Sequence, residues 1–189
     1  MTHIDRMKWV GLAAILAMTL SAPVWAASAI TSNAPTVTLQ ATQPESISVT
    51  LGSISQVNFT DLSALDAGDN AVTWTTNWNL DPTAHPTVNS CVYFASSTAL
   101  TGGVNSQNIP TTSVKGQPGA TGSFSAITGS ACGQSNALPI STTPIVSGTN
   151  NNNGSKSDSV ALEVDPTGLG LAPGTYNGTL YIVSVAETE

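Results

Sequence analysis

The chain is 189 residues long, 40% hydrophobic and only 8% charged, with eleven acidic against four basic side chains and a formal net charge of −7 at pH 7. Beyond residue 29 only Lys115 and Lys156 remain against ten carboxylates, a formal charge of minus eight. Such a surface repels phosphate backbones and excludes nucleic acid as a partner, while the length suits one domain with a real hydrophobic core.

Residues 1–29 have the layout of a cleaved secretory signal. Arg6 and Lys8 make a basic start, 9–20 an apolar core, and Pro23 leads into small residues, with cleavage expected after Ala26 or Ala29. The apolar run is about a dozen residues, against the roughly 20 that a membrane span needs, so no span is expected once the signal is removed. Residues 30–43 form an extended arm or a first strand, in which Val37, Leu39 and Ala41 alternate with Thr and Gln. Pro44 interrupts it, because proline cannot donate to a ladder. The sandwich domain is expected over 44–189.

Ile47, Val49 and Leu51 resume the period of two and predict a strand that Gly52 ends. The segment 54–60 predicts another, with Val57 and Phe59 on one side. Asp66-Ala67-Gly68-Asp69-Asn70 is a turn by composition. Val72, Trp74, Thr76, Trp78 and Leu80 share one face of the next strand, which places both tryptophans in a sandwich core; the competing reading is a two-ring platform, Trp74 and Trp78, stacking on sugars. His85 lies in a loop before Pro86. The strand at 88–95 puts Cys91 and Tyr93 on one side and Val92 and Phe94 on the other.

From 101 to 133 the chain is rich in Gly, Ser, Thr and Pro and is expected to be irregular, tied down by a disulfide between Cys91 and Cys132. Closing that loop restricts the unfolded chain by about 4 kcal/mol. The segment 138–146 carries Pro139 and Pro144 and is at best an edge strand. Residues 150–153 read as a hairpin tip. Val160, Leu162 and Val164 then share the face of a strand that Asp165-Pro166 ends. No window of eleven or more residues keeps a helical stripe, so the expected class is all-β and antiparallel.

No constellation of residues points to chemistry. His85 is the only imidazole beyond the signal, and no Gly-x-Ser-x-Gly elbow accompanies it. Gly129-Ser130-Ala131-Cys132-Gly133 resembles a nucleophile on a tight turn, but pairing of Cys132 with Cys91 is the simpler account. Zinc wants four ligands, and Asp66, Asp69 and Asp81 lack the alternate-residue spacing of a calcium loop. The expectation is a non-enzymatic protein with no metal and no cofactor.

The end of the chain carries the functional reading. Ala172-Pro173-Gly174-Thr175-Tyr176 forms a turn feeding a long strand, with Tyr176, Gly178, Leu180 and Ile182 facing one way and Thr179, Tyr181, Val183 and Val185 the other. In immunoglobulin-like folds such a corner opens the penultimate strand, and the tyrosine hydroxyl bonds back to the turn. The fold expected is therefore an immunoglobulin-like antiparallel β-sandwich lacking its final strand, with an open edge beside Leu180 and Ile182. Val37, Leu39 and Ala41 are the well-patterned donor for that edge, from the same chain or from a neighbour.

The signal, the alternating arm, the single disulfide and the strand Pro173-Gly174-Thr175-Tyr176-Asn177-Gly178-Thr179-Leu180-Tyr181-Ile182 together resemble chaperone-usher pilins, especially the archaic and spore-coat-U-like subunits. The cysteines differ in place, since those subunits commonly carry one in the first strands. The resemblance implies a bacterial fimbrium subunit that passes through the periplasm to the cell surface and polymerises with copies of itself or related subunits. It also implies a periplasmic chaperone and an outer-membrane usher as partners. Val37, Leu39 and Ala41 would be the donor residues, and Tyr176, Leu180 and Ile182 would line the acceptor groove. The terminal motif is also similar to bacterial immunoglobulin-like modules, where a further strand follows; the alternative function is accordingly a self-contained extracellular binding module, with carbohydrate held on Trp74 and Trp78.

Overall fold

Alternation of apolar and polar residues produces strands almost exclusively, with a short 3-10 turn at Thr111–Ser113. The structure, a computed structural model, describes residues 40–119, 121–146 and 152–188. The chain divides into two units, Met1–Ala41 and Thr42–Glu189, and every element below belongs to the second. Val37 and Leu39 lie outside the described residues, as do residues 150 and 151 of the hairpin tip expected at 150–153; Ala41 is exposed and in no strand.

The strands are β1 (Ser46–Leu51), β2 (Asp66–Ala67), β3 (Val72–Asn79), β4 (Thr87–Tyr93), β5 (Thr98–Gly102), β6 (Gln107–Pro110), β7 (Val114–Pro118), β8 (Ser125–Ala126), β9 (Gly129–Ala131), β10 (Gln134–Pro144), β11 (Asn153–Val164), β12 (Tyr176–Asn177) and β13 (Tyr181–Glu187). They form three antiparallel sheets. One runs β1-β3-β11-β7-β8, with β2 taking over from β3 as the partner of β11; a second runs β13-β4-β10-β9; a small third runs β12-β5-β6. The result is an all-β, immunoglobulin-like sandwich, and the period of two decides which residues fill it.

Trp74 and Trp78 of β3 point inward and are 1% and 4% exposed, so neither ring offers a face to a ligand and the platform reading of these two residues is corrected. Val92 and Phe94 around β4, Leu138 of β10 and Val160, Leu162 and Val164 of β11 join Trp74 in the main cluster. Trp78 belongs to a second cluster at one end, with Leu80, Val88 and Ile145, against which Ile47 and Ala186 pack. Between them lies a line of buried hydroxyls. Trp74 Nε1–H donates to Ser90 Oγ (3.0 Å), Ser90 Oγ meets Ser184 Oγ (2.8 Å), and Ser184 Oγ meets Thr76 Oγ1 (2.7 Å). Each polar group of this line is thereby satisfied, and β3, β4 and β13 are joined across the two main sheets.

Cys91, on the face of β4 opposite Val92, is buried, and its disulfide to Cys132 spans 41 residues. Cys132 and Gly133 both have positive φ (50° and 71°), the conformation of a two-residue type I′ hairpin joining β9 to β10. The segment 101–133 is more regular than its composition predicts. Its short strands borrow partners: β5 and β6 pair with each other, and β7 joins β11 from Val114 to Pro118. Pro139 and Pro144 also sit in a longer strand than expected. β9 covers β10 only as far as Ala137, and the register slips between Pro139 and Ser141, so both prolines occupy stretches where that edge of β10 needs no donor.

Candidate functional site: an open groove beside the last strand

Strand β13 pairs with β4 along its whole length, from Tyr181 opposite Tyr93 to Glu187 opposite Thr87. Among the described residues no strand pairs with its other edge. The nearest element on that side is β1, which belongs to the opposite sheet. Ile47 and Ala186 meet on the Trp78 cluster, whereas Leu51 and Ile182 line an open groove of about 910 Å³, so β1 and β13 run antiparallel and part company along their length.

The reason for the parting is local. Gly52 N–H still bonds to Thr73 O (2.8 Å), but the chain then leaves the sheet. The strand expected at 54–60 is absent, and 51–63 forms an irregular wall of the groove, with Val57, Phe59 and Leu62 packed against the core. Its hydrogen bonds go to the 66–70 turn instead of a neighbouring strand. Asn58 N–H and Nδ2 each donate to the Asp69 carboxylate at 2.9 Å, and Asp69 N–H returns a bond to Asn58 O (3.1 Å). These bonds, the backbone one first, hold the Asp69 carboxyl below the usual carboxylate range. Asp61 is likewise lowered by its bonds with Ser63, and Asp61 N–H donates to Asp66 Oδ2 (2.7 Å). The expected turn at 66–70 thus begins with the short strand β2 and serves as the clasp for the groove wall.

The opposite wall is 171–180. Tyr176 donates its hydroxyl to the carbonyl of Ala172 (2.9 Å), with Gln107 Oε1 at 3.0 Å, which is the corner expected from Pro173-Gly174-Thr175-Tyr176. Its position differs from expectation in one respect. Tyr176 opens the two-residue strand β12 on β5, and the chain crosses at 178–180 before β13 begins at Tyr181. Glycine makes that crossing feasible: a Cβ on Gly102 would lie 1.9 Å from Thr175 O, and one on Gly178 1.9 Å from Ala99 O. Tyr176, Leu180 and Ile182, named from the alternation, all line the groove and pack on the main cluster. Phe94, Leu100, Val114 and Leu162 form its floor.

Sequence reasoning missed the wall at Val57, Asn58 and Phe59 as a groove element, and it missed the buried hydroxyl line. A signal for the latter exists: Thr76, Ser90 and Ser184 each occupy the inward phase of an otherwise apolar strand. The remaining titratable groups lie elsewhere. His85 Nε2 is 3.5 Å from Glu45 Oε2 in the β3–β4 loop, and Lys115 sits between Glu163 (3.4 Å) and Asp165 (3.1 Å) on the outer face. No family model, no curated protein and no solved structure matches this chain.

Proposed function

We propose that the chain is an exported, pilin-like structural subunit of a surface fibre, and that the groove beside β13 takes the extended N-terminal arm of a second copy. The observation that carries this reading is the coincidence of a β13 edge that no described strand pairs with and an apolar floor: the edge of β13 offers backbone groups, and the groove beside it is lined by Phe94, Leu100 and Leu162. An extended segment with alternating apolar residues satisfies both at once. Val37, Leu39 and Ala41 have that pattern.

Chain geometry favours donation between copies. Pro44 O accepts a bond from Asn79 Nδ2 (3.3 Å), and Glu45 Oε1 accepts one from Asp81 N–H, so the root of the arm is held at the closed end of the β1–β13 seam. The groove starts at the far end of β1, about 20 Å away at roughly 3.3 Å per residue. At roughly 3.6 Å per residue, Ala41 reaches at most about 14 Å from Glu45 and Leu39 about 22 Å, before any allowance for reversing direction. Ala41 of the same chain therefore falls short of the groove and Leu39 only just reaches its near edge, whereas an arm from another copy has no such limit.

On this reading residues 1–29 direct export, the disulfide forms in the oxidising periplasm, and a periplasmic chaperone and an outer-membrane usher handle the open groove before assembly. The test is the oligomeric state of the protein lacking residues 1–29. A ladder of oligomers is expected on native mass spectrometry, and removal of residues 30–41 should leave only monomer. A protein that stays monomeric with its arm intact, or a ladder that survives the deletion, overturns the proposal.

A further inference from the structure

A second concavity of about 340 Å³ lies across the 177–179 link from the groove, bounded by the β4–β5 turn, the outer face of the β5–β6 hairpin and the start of β13. Its volume falls at the lower end of the range that small-molecule sites occupy, about 300–1,000 Å³. None of the described residues lining it is charged. Thr98, Thr101, Asn108, Asn177 and Thr179 bring hydroxyls and amides, and Tyr181 brings an aromatic face.

The lining is built in advance of any ligand. Tyr181 is 43% exposed, yet its ring is fixed by stacking on Tyr93, with centroids 5.2 Å apart and planes 25° from parallel. Thr101 Oγ1 donates to Asn108 Oδ1 (3.0 Å), which leaves the Nδ2 group of Asn108 as the amide's donor. Gly178 presses the link against β5, where any side chain would collide with Ala99 O. A charged ligand finds no counter-ion here, and an apolar one would strip water from hydroxyls and amides without replacing their bonds. A pyranose suits both halves of the lining, with C–H groups for the ring face and hydroxyls for the threonines and asparagines.

We infer that this cleft binds a neutral sugar ring, stacked on Tyr181 and hydrogen-bonded by Thr101, Asn108 and Thr179. Binding of this kind asks nothing of the groove's occupant, so a failure of strand donation and a failure of sugar binding are separately visible. The test is saturation-transfer NMR on the protein lacking residues 1–29, with maltotetraose, cellotetraose and mannotetraose as probes. Transfer to the ring protons of at least one of them is expected. Tyr181→Ala and Asn108→Ala should each weaken it about tenfold, a loss of about 1.4 kcal/mol, while Tyr181→Phe, which keeps the ring face, binds as the unaltered chain does. Melting curves identify a variant that has lost its fold, and Asn108→Ala, on a different hairpin from β13, then decides. Absence of transfer to all three probes, or an affinity unchanged in a folded variant lacking either side chain, overturns the inference.

Discussion

The two ends of the β1–β13 seam begin from the same sequence pattern and finish differently. Ile47, Val49 and Leu51 occupy the same phase of β1, yet Ile47 is partly buried on the Trp78 cluster while Val49 is 36% and Leu51 47% exposed. On the other side Ala186 is packed where Ile182 borders open space. The closed end is held by side chains of both sheets. At the open end the chain has already turned away at Gly52, and Asn58 is bonded to Asp69 instead of to a strand. The contrast teaches that apolar alternation selects the face of a strand, while the presence of a neighbouring strand decides whether that face is covered.

The largest expected effect separates the two ends directly. Trp78→Ala empties the closed end and should lower stability by about 3–5 kcal/mol, read from denaturant unfolding of the monomer. Val57→Ala at the open wall should cost the monomer under about 1 kcal/mol, since its methyls are only partly buried. Equal losses at the two sites would erase the distinction between a packed end and a socket.

Next in size is the hydroxyl line that separates the two ends. Ser184→Ala removes the oxygen between Ser90 and Thr76 and should destabilise by about 1–3 kcal/mol, because two buried hydroxyls lose a partner. Calorimetry on the variant checks this, and an unchanged melting temperature would show that β13 is held by its ladder to β4 alone.

The smallest effect is confined to the groove wall. The Asp69 carboxyl is lowered by its bonds to Asn58, so its folded value lies below that of the unfolded chain. Its contribution is fully present above the ordinary carboxylate value of about 4 and is lost as pH falls through the lowered folded value. The Asn58 amide resonance should therefore stay constant from neutral pH down to about 4 and titrate only below it, with no such titration in Asp69→Asn. A titration of Asn58 well above that range would remove Asp69 as the clasp.

Much of the architecture was legible in the residues because it depends on local chemistry. Period-two alternation identified β1, β3, β4 and β11 and the inward faces of β3 and β11, and Asp165-Pro166 marked the end of β11. Two cysteines with no other partner marked the disulfide, and the Pro-Gly-Thr-Tyr corner marked the hydroxyl bond to Ala172. The candidate groove was legible on one side only. Tyr176, Leu180 and Ile182 could be named from their phase, but the opposite wall at 51–63 alternates as a strand would and is no strand.

The sequence by itself determined the all-β class, the faces of the long strands, the acidic and hydroxyl-rich surface and the cysteine pair, since each follows from which side chains recur at which spacing. Only the tertiary structure decided that Trp74 and Trp78 are both enclosed, that Pro139 and Pro144 fit at a slipped and half-covered edge, and that β1 and β13 separate beyond Val49. Those outcomes depend on which distant segment supplies each hydrogen bond. For Asn58 the supplier is a carboxylate eleven residues away, and that bond leaves the groove without a strand from 54–60.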